Sequence, residues 1–254
     1  MAQHSTLEAR DLTAAVQDYA KAIYTLEARD GAASTTDLAA LLEVRPASVS
    51  GMLRKLSTLG LVKHERYRGV RLTERGRRVA LEVIRHHRLV ELFLVESLGM
   101  TWDEVHAEAE VLEHALSEEL EELIAAKLGN PTVDPHGEPI PSRELKLAET
   151  AAPALAELEA GETAVFVLIS DTEPEMLRFL GERGIVPGAR LELVERQPFD
   201  GPLFVRVGKE VHVLGTKLEV VDRQPFDGPL FVRVGGKVHA LGSVLARAMR
   251  VEAA

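Results

Sequence analysis

Apolar residues recur at helical spacing through the first half of the chain and fall into short strand-like runs near its end. The elements predicted in the first part are helices over 12–29, 37–42 and 46–59 and a hairpin over 62–72. Ser34 is suitably placed to cap the second helix, and Pro46 suits the first turn of the third. The order helix, helix, turn, helix, hairpin is that of a winged helix-turn-helix.

Two longer helices are predicted next, over 73–98 and over 101–128. Thr101–Glu104 has the sequence of a capping box and is expected to begin the second one. The apolar positions of these helices cover more surface than one face needs, which indicates a two-fold dimer interface. Residues 130–141 hold four prolines and predict a turn-rich connector.

Short β runs dominate the chain from residue 162, and a helical insert over 173–183 interrupts them. This pattern predicts a small β-barrel. The segment 196–208 recurs identically at 223–235, an offset of 27 residues. The repeat reflects either a recent duplication or a requirement for two equal surfaces, and we expect it to add an extra strand pair to the barrel.

Together these elements predict a mainly α-helical protein with β structure. Four segments are expected: a winged helix-turn-helix domain over 1–73, a helical dimerisation domain over 74–146, a linker over 147–161, and a β-rich domain with the internal duplication over 162–254.

The net charge of −10 conceals a basic segment. Between Ser34 and Arg78, Lys and Arg number 10 and Asp and Glu number 4, a local +6 that leaves −16 for the remainder. A basic segment on an acidic body is typical of a nucleic-acid-binding module. The residues predicted to contact DNA are Thr36, Arg45, Ala47, Ser48, Ser50, Arg54, Lys55, Arg66 and Arg68.

Several classes of function find no support in the sequence. The chain has no cysteine, so disulfides, thiolate metal sites and cysteine nucleophiles are excluded. The N-terminus does not have the pattern of a signal peptide, and no apolar run is long enough to span a membrane. We therefore expect a cytoplasmic protein with no membrane partner. No Ser/His/Asp arrangement, P-loop or glycine-rich nucleotide motif indicates an enzyme or a small-molecule substrate.

Histidine and carboxylate side chains share one face of the predicted helix over 101–128. At about 3.6 residues per turn, His106, Glu110, Glu113 and His114 lie close together. Upstream, His87 and Glu91 are one turn apart. Such a mixed nitrogen and oxygen ligand set suits a first-row divalent metal, and the alternative for any one pair is a solvated acidic helix face.

Two other functions compete with a metal-regulated DNA-binding protein. A di-metal carboxylate enzyme in a helical bundle would need two Glu-x-x-His motifs, which the chain lacks, and would leave the basic hairpin without a role. A winged-helix regulator that does not respond to metal would leave the His/Glu face as ordinary surface.

The residues discussed so far also carry a resemblance to a known family. Over almost its full length the chain resembles the metal-dependent repressors of the DtxR/MntR family. The matching motifs are Asp18–Tyr24, Arg45–Ser50, Glu65–Gly69, Leu72–Gly76, His87–Glu91, Glu110–His114 and Asp134–Pro141. From Gly184 onward it is similar to the SH3-like, FeoA-type domain of the longer members, which implies a C-terminal SH3-like barrel.

The resemblance implies two metal sites and a dimer. The effector site would use Asp18, Glu110, Glu113 and His114. The second site would use His87, Glu91 and His106, with Asp171 or Glu173 joining from the C-terminal domain. The implied function is a repressor of metal-ion homeostasis that binds near-palindromic double-stranded DNA operators as a metal-activated homodimer.

The resemblance also bears on which metal the chain is expected to bind. Where iron-responsive members place Met and Cys, this chain has Asp18 and Glu110, so Mn²⁺ is expected, with Fe²⁺ as the alternative and Zn²⁺ or Co²⁺ as substitutes in vitro. Where short manganese-responsive members carry a further carboxylate, this chain has Lys21. That departure favours two separated sites over a two-manganese cluster.

Overall fold

The structure is a computed structural model that describes residues 12–65, 69–169, 173–196, 203–214, 219–223, 230–234, 237–240 and 249–253. It divides into two compact units. The first unit comprises Met1–Gly99, Ala107–Asp134 and Pro139–Ala148, and the second comprises Met100–His106, Pro135–Glu138 and Glu149–Ala254. Among the described residues, no helix is both long enough and apolar enough to cross a bilayer.

The first unit begins with a winged helix-turn-helix, as predicted. Its elements are α1 (Ala14–Asp30), α2 (Thr35–Leu41), α3 (Pro46–Thr58), β1 (Val62–Glu65) and β2 (Gly69–Leu72). β1 and β2 pair antiparallel, with Val62 opposite Leu72. An isolated antiparallel bridge between Ala33 and Val70 joins the segment after α1 to the wing.

The helices of this module bury one apolar face each. Ile23 of α1, Val49 of α3 and Leu61 before the wing are fully buried in one shared core. Gly69 is required where the wing crosses Ala33, because its φ is +111° and a Cβ there would lie 2.1 Å from the Ala33 carbonyl oxygen.

A buried carboxylate joins α1 to the elements that follow. Glu27 accepts hydrogen bonds from the backbone N–H of Leu72 and, at 2.9 Å, from Arg77 Nη2. Arg77 lies on α4 (Glu74–Leu98), which Thr73 caps through the N–H of Gly76. The base of the wing and the start of α4 are therefore both tied to α1.

The prediction of a single helix over 101–128 is wrong. Two shorter helices occur there, α5 (Val105–Leu112) and α6 (Glu118–Lys127). The chain turns between them, and Ser117 begins α6 by accepting a hydrogen bond from the N–H of Leu120 at 3.2 Å. Thr101 forms no capping box, because its hydroxyl contacts the Glu104 carboxylate instead. Glu113 and His114 consequently follow α5 and do not lie on a continuous helical face.

The second unit contains a five-stranded antiparallel sheet and one helix. The strands are β3 (Thr163–Ile169), β4 (Arg190–Arg196), β5 (Leu203–Val207), β6 (Glu210–Leu214) and β10 (Met249–Ala253), in the order β10-β3-β4-β5-β6, and the helix is α7 (Pro174–Gly181). The strand-rich C-terminal domain is thus confirmed. Leu155, from a 3-10 turn within the predicted linker, is fully buried in its core with Phe166 and Leu180.

The second copy of the repeated segment forms a sheet of its own. Its strands are β7 (Glu219–Arg223), β8 (Leu230–Val234) and β9 (Lys237–Ala240), in the order β7-β8-β9. The prediction of an extra strand pair within the barrel is therefore wrong. The reason is that the repeated sequence encodes three consecutive strands, which satisfy one another's backbone hydrogen bonds as a meander.

Candidate metal centre and nucleic-acid interface

Three of the predicted metal ligands converge in the first unit. Asp18 of α1 approaches the turn after α5, where its Oδ1 lies 2.9 Å from His114 Nε2. His114 Nε2 also lies 3.6 Å from Glu113 Oε1. One ligand atom from each of the three residues falls within 4.8 Å of the others. These distances bring together residues 96 positions apart in the chain, on the helix that opens the DNA-binding module and the turn that follows α5.

Gln17, which the sequence did not single out, orients the histidine of this group. Its Oε1 lies 2.6 Å from His114 Nδ1, and the residue is only 3% exposed. An amide oxygen can only accept, so Nδ1 must carry the proton in this contact. The Nε2 lone pair of a neutral His114 then faces Asp18, whose Oδ1 is buried without a hydrogen bond. Either a proton on Nε2 or a metal ion satisfies both atoms, and this pair of nitrogen and oxygen donors fits a metal ion.

Lys21, also on α1, is the cation that the other carboxylates contact. Its Nζ lies 2.6 Å from Glu110 Oε1 and 2.8 Å and 2.9 Å from the two oxygens of Glu113. Burial lowers the pKa of Lys21, but the two carboxylates outweigh that effect and raise it above its ordinary value. The ammonium therefore remains charged and neutralises part of the acidic cluster.

His87 on α4 is held between two carboxylates. Its Nδ1 lies 2.5 Å from Glu113 Oε2, and its Nε2 lies 2.9 Å from Glu91 Oε1. Burial would lower the pKa of His87, but hydrogen bonds with Glu113 and Glu91 dominate and raise it to about 9. Without a metal, both ring nitrogens carry protons at neutral pH. His87 must lose a proton before it can ligate a metal.

The two acids of the converging group are shifted in opposite directions. Burial raises the pKa of Glu113, but the hydrogen bond from His87 and the charge of Lys21 outweigh it, so the net shift is downward. Burial raises the pKa of Asp18, and the neighbouring Glu113 adds to this against the opposing effect of His114. Of these two acids, Asp18 is the one whose charged form its surroundings disfavour.

The remaining predicted ligands have different surroundings. Glu110 contacts Lys21 and, at 3.7 Å, approaches His87 Nδ1. His106 lies on the first turn of α5 and belongs to the second unit. Glu173 is the exposed N-cap residue of α7. Asp171 lies outside the described residues.

The sequence assigned the acids and histidines to two sets, and within the first unit those sets meet at one residue. Glu113 contacts His87 of the second set through Oε2 and lies beside His114 of the first set through Oε1. Lys21 contacts Glu113 as well. The side chain of Glu113 is fully buried, so its charge must be balanced by these neighbours.

The predicted DNA contacts that the structure describes are all exposed. α3 directs Val49, Leu53 and Leu56 into the core. The residues that face solvent on or beside α2 and α3 are Thr36, Arg45, Ala47, Ser48, Ser50, Arg54 and Lys55. An exposed helix bearing hydroxyls and two or more cations has the composition required to enter a major groove. Arg66 and Arg68 lie outside the described residues.

Three families of known domains match most of the chain. Residues 11–70 match the N-terminal DNA-binding domain of iron-dependent repressors, and residues 73–142 match their metal-binding and dimerisation domain. The FeoA domain matches twice, over 154–215 and over 211–253. The double match corresponds to the two copies of the repeated segment.

Individual relatives agree with the family models. The iron-dependent repressor IdeR of Mycobacterium tuberculosis (strain ATCC 25618 / H37Rv) is 34% identical over 213 residues, 79% of this chain and 92% of IdeR. The transcriptional regulator MntR of Geobacillus kaustophilus is 35% identical over 105 residues, 41% of this chain and 74% of MntR. A solved manganese-dependent transcriptional repressor in complex with manganese is 38% identical with a TM-score of 0.73, covering 94% of this chain and all of that one.

Proposed function

The chain belongs to the DtxR/MntR family of metal-dependent transcriptional repressors, and we propose that Mn²⁺ is the ion to which it responds. The observation that carries this proposal is the convergence of Asp18, Glu113 and His114. Their donor atoms are oxygen and nitrogen only. Sulfur ligands would favour softer ions, and carboxylate and imidazole suit manganese. The family resemblance to manganese-dependent repressors of known structure supports the same choice.

In this proposal Asp18, Glu113 and His114 hold the effector ion, with Glu110 joining once it leaves Lys21. When bound, the ion supplies positive charge that offsets the repulsion between the carboxylates. Gln17 keeps the proton of His114 on Nδ1 and so leaves Nε2 available. Lys21 already provides one positive charge beside Glu113, which supports a single ion on the Asp18 side rather than a two-metal cluster.

A second, ancillary site is proposed around His87 and Glu91 of the first unit. The pairing of His87 with Glu91 at 2.9 Å supports this assignment, since a carboxylate beside an imidazole is a usual partner arrangement at metal sites. The raised pKa of His87 means that protons should compete with the metal for this site.

Metal binding would act on DNA binding through α1. Asp18 lies on the helix whose apolar face packs with α3, whereas Glu113 and His114 follow α5. Fixing Asp18 against these two residues fixes the orientation of α3 relative to the helices around it. The metal-bound arrangement is favoured because the ligands from both sides are satisfied only there, which is a population shift towards the DNA-competent form.

The partners proposed are a second copy of the chain and a near-palindromic DNA operator. Large apolar side chains on the dimerisation helices are exposed, namely Leu98 (64%), Val111 (70%), Leu112 (41%), Leu120 (47%) and Leu123 (62%). An exposed apolar surface of this kind supports self-association. A two-fold dimer would present two α3 helices about 34 Å apart, one turn of DNA. We place this repressor of metal-ion homeostasis in the cytoplasm.

Iron is the second candidate ion, and a specific observation favours it. The IdeR relative covers most of this chain and is named as iron-dependent. The difference lies at the ligands, where this chain offers carboxylates at Asp18 and Glu110. Harder oxygen donors shift preference towards Mn²⁺, although intrinsic affinity would still follow the order in which Fe²⁺ exceeds Mn²⁺.

The test is whether the effect of Mn²⁺ on operator binding depends on Asp18. Asp18→Asn preserves the size of the side chain and removes its charge. We expect the variant to require at least tenfold more free Mn²⁺ for operator binding, and Arg29→Ala, at an exposed site elsewhere on α1, to behave as the wild type. Operator binding by Asp18→Asn at the same free Mn²⁺ as the wild type would overturn the proposed site.

A further inference from the structure

The two copies of the repeated segment form meanders with the same register. We name residues 189–215 the first meander and residues 216–242 the second meander. Glu192 lies opposite Arg206 in the first, and 27 residues later Glu219 lies opposite Arg233 in the second. A register shift falls between Leu193 and Glu195 in the first and at the corresponding place in the second.

The sequence similarity extends beyond the identical stretch. Over the full 27 residues the two meanders differ at only seven positions. The first meander contributes five residues to the core of the second unit, namely Leu191, Leu193, Leu203, Val205 and Leu214. The residues 27 positions later are Leu218, Val220, Leu230, Val232 and Leu241. Only the pair Leu193 and Val220 differs, by one methylene.

The contacts between β3 and the first meander are mainly backbone contacts. Thr163 lies opposite Glu192, and Ala164 lies opposite Leu191. Gly188, with φ +91°, donates its N–H to the Phe166 carbonyl at 2.7 Å just before the first meander begins. The residue just before the second meander is also a glycine, Gly215. β3 also pairs Val165 with Arg190, and Phe166 donates its N–H to the Ala189 carbonyl, where the second meander has Lys217 and Thr216. These contacts use the backbone, so they do not require identical side chains.

We propose that the two meanders exchange on β3 within one chain. In the second arrangement Thr163 lies opposite Glu219, and the first meander forms the separate three-stranded sheet. Strand register is set by the apolar pattern, and here a shift of one repeat puts an apolar residue at each of the five buried core positions. β10 stays on the other edge of β3 in both arrangements. The C-terminal unit is thus a two-state element.

The two arrangements should be close in free energy because each pairs one meander with β3 and leaves the other meander as a separate sheet. The states differ only through the seven unequal positions. In the core, Val220 in place of Leu193 disfavours the second arrangement by roughly fourfold to tenfold. The exchange does not depend on the metal or on DNA, so its test is independent of the proposed function.

Engineered disulfides in the full-length chain test the exchange, and the native sequence has no cysteine that could interfere. Thr163→Cys/Glu192→Cys reports the observed arrangement, and Thr163→Cys/Glu219→Cys reports the exchanged one. In a glutathione redox buffer we expect both intramolecular disulfides to form. The effective concentrations of the two cysteine pairs should lie within roughly twentyfold of each other. Thr163→Cys/Arg233→Cys is the matched control and should not form, because Arg233 lies one strand further from β3 in the exchanged arrangement.

The outcome is decided by the Glu219 variant. Disulfide formation there no greater than in the Arg233 control overturns the exchange, as does a disulfide that forms only between two chains. A second measurement covers the case in which cysteine substitution alters the fold. Deletion of 189–215 and deletion of 216–242 each leave one meander, and both variants should unfold with similar midpoints. Failure of only the first deletion to fold contradicts the proposal.

Discussion

The ammonium of Lys21 lies 2.8 Å and 2.9 Å from the two carboxylate oxygens of Glu113. The Glu113 side chain is fully buried, and that of Lys21 is 18% exposed. A pair so removed from water is destabilised strongly when one partner is removed, because the other charge remains buried. The metal-free protein therefore depends on a lysine for the charge balance of its acidic cluster.

Replacing Lys21 should separate the stability of the metal-free protein from its affinity for metal. We expect Lys21→Met to destabilise the metal-free protein by on the order of 3 kcal/mol. The same variant should bind Mn²⁺ about tenfold more tightly, since a competing positive charge is gone. Urea unfolding with a chelator and calorimetric Mn²⁺ titration measure the two effects. Unchanged stability together with unchanged affinity would show that Lys21 does not balance Glu113.

Gln17 should control metal affinity without touching the ion. Gln17→Leu removes the acceptor for His114 Nδ1, so we expect Mn²⁺ affinity to fall by roughly 10–100-fold. Gln17→Glu keeps an acceptor in the same place and should restore most of the affinity. Nitrogen-15 NMR of His114 in the metal-free protein checks the cause. The Nδ1–H tautomer should dominate in the wild type and in Gln17→Glu, and its persistence in Gln17→Leu would contradict this role.

The stability of the metal-free protein should fall as the pH rises. The pKa of His87 is raised from 6.5 to about 9 by hydrogen bonds that outweigh its burial. A raised pKa in the folded state stabilises the protein fully below about pH 6.5, and this contribution is lost as the pH rises through about 9. Melting temperatures with a chelator present should therefore decrease from pH 6.5 to pH 9.5. His87→Gln should flatten this slope, and an equal slope in the variant would exclude His87 as its origin.

Arg54 should contribute to DNA binding through charge. It is exposed on α3, beside the residues expected to approach base edges. Arg54→Ala should weaken binding to specific and unrelated DNA to a similar degree. It should also reduce the slope of log K against log salt concentration by about 0.9 for each DNA phosphate that is no longer neutralised. Lys127→Ala, at the end of α6, serves as a charge-matched control. Weakening confined to the specific operator would assign Arg54 to base recognition instead.

Periodicity alone predicted α1 to α4 to within a few residues, because each of these helices buries one apolar stripe and has a recognisable cap or terminal glycine. The same reasoning failed between residues 101 and 128. Ala115 and Leu116 are good helix formers, and the break becomes apparent only from the cap that Ser117 makes with Leu120. Local preference was therefore a poor guide where a turn places Glu113 and His114.

The sequence did not predict which residues contact the proposed ligands. Lys21 and Gln17 contact residues about 90 or more positions away, and no local pattern marks either contact. Lys21 stood out only as a departure from a family motif. The duplicated segment was recognised as a repeat, but a repeat does not specify which copy pairs with β3. That choice depends on long-range strand pairing.

The most direct measurement is operator binding by fluorescence anisotropy at fixed salt, with a family-type palindrome and matched free concentrations of Mn²⁺, anaerobic Fe²⁺ and Zn²⁺. A sample with chelator provides the metal-free reference. We predict tight binding with Mn²⁺ at concentrations where Fe²⁺ has little effect, and no specific binding with chelator. Equal responses to Mn²⁺ and Fe²⁺ would contradict manganese selectivity, and binding that persists with chelator would contradict the metal switch itself.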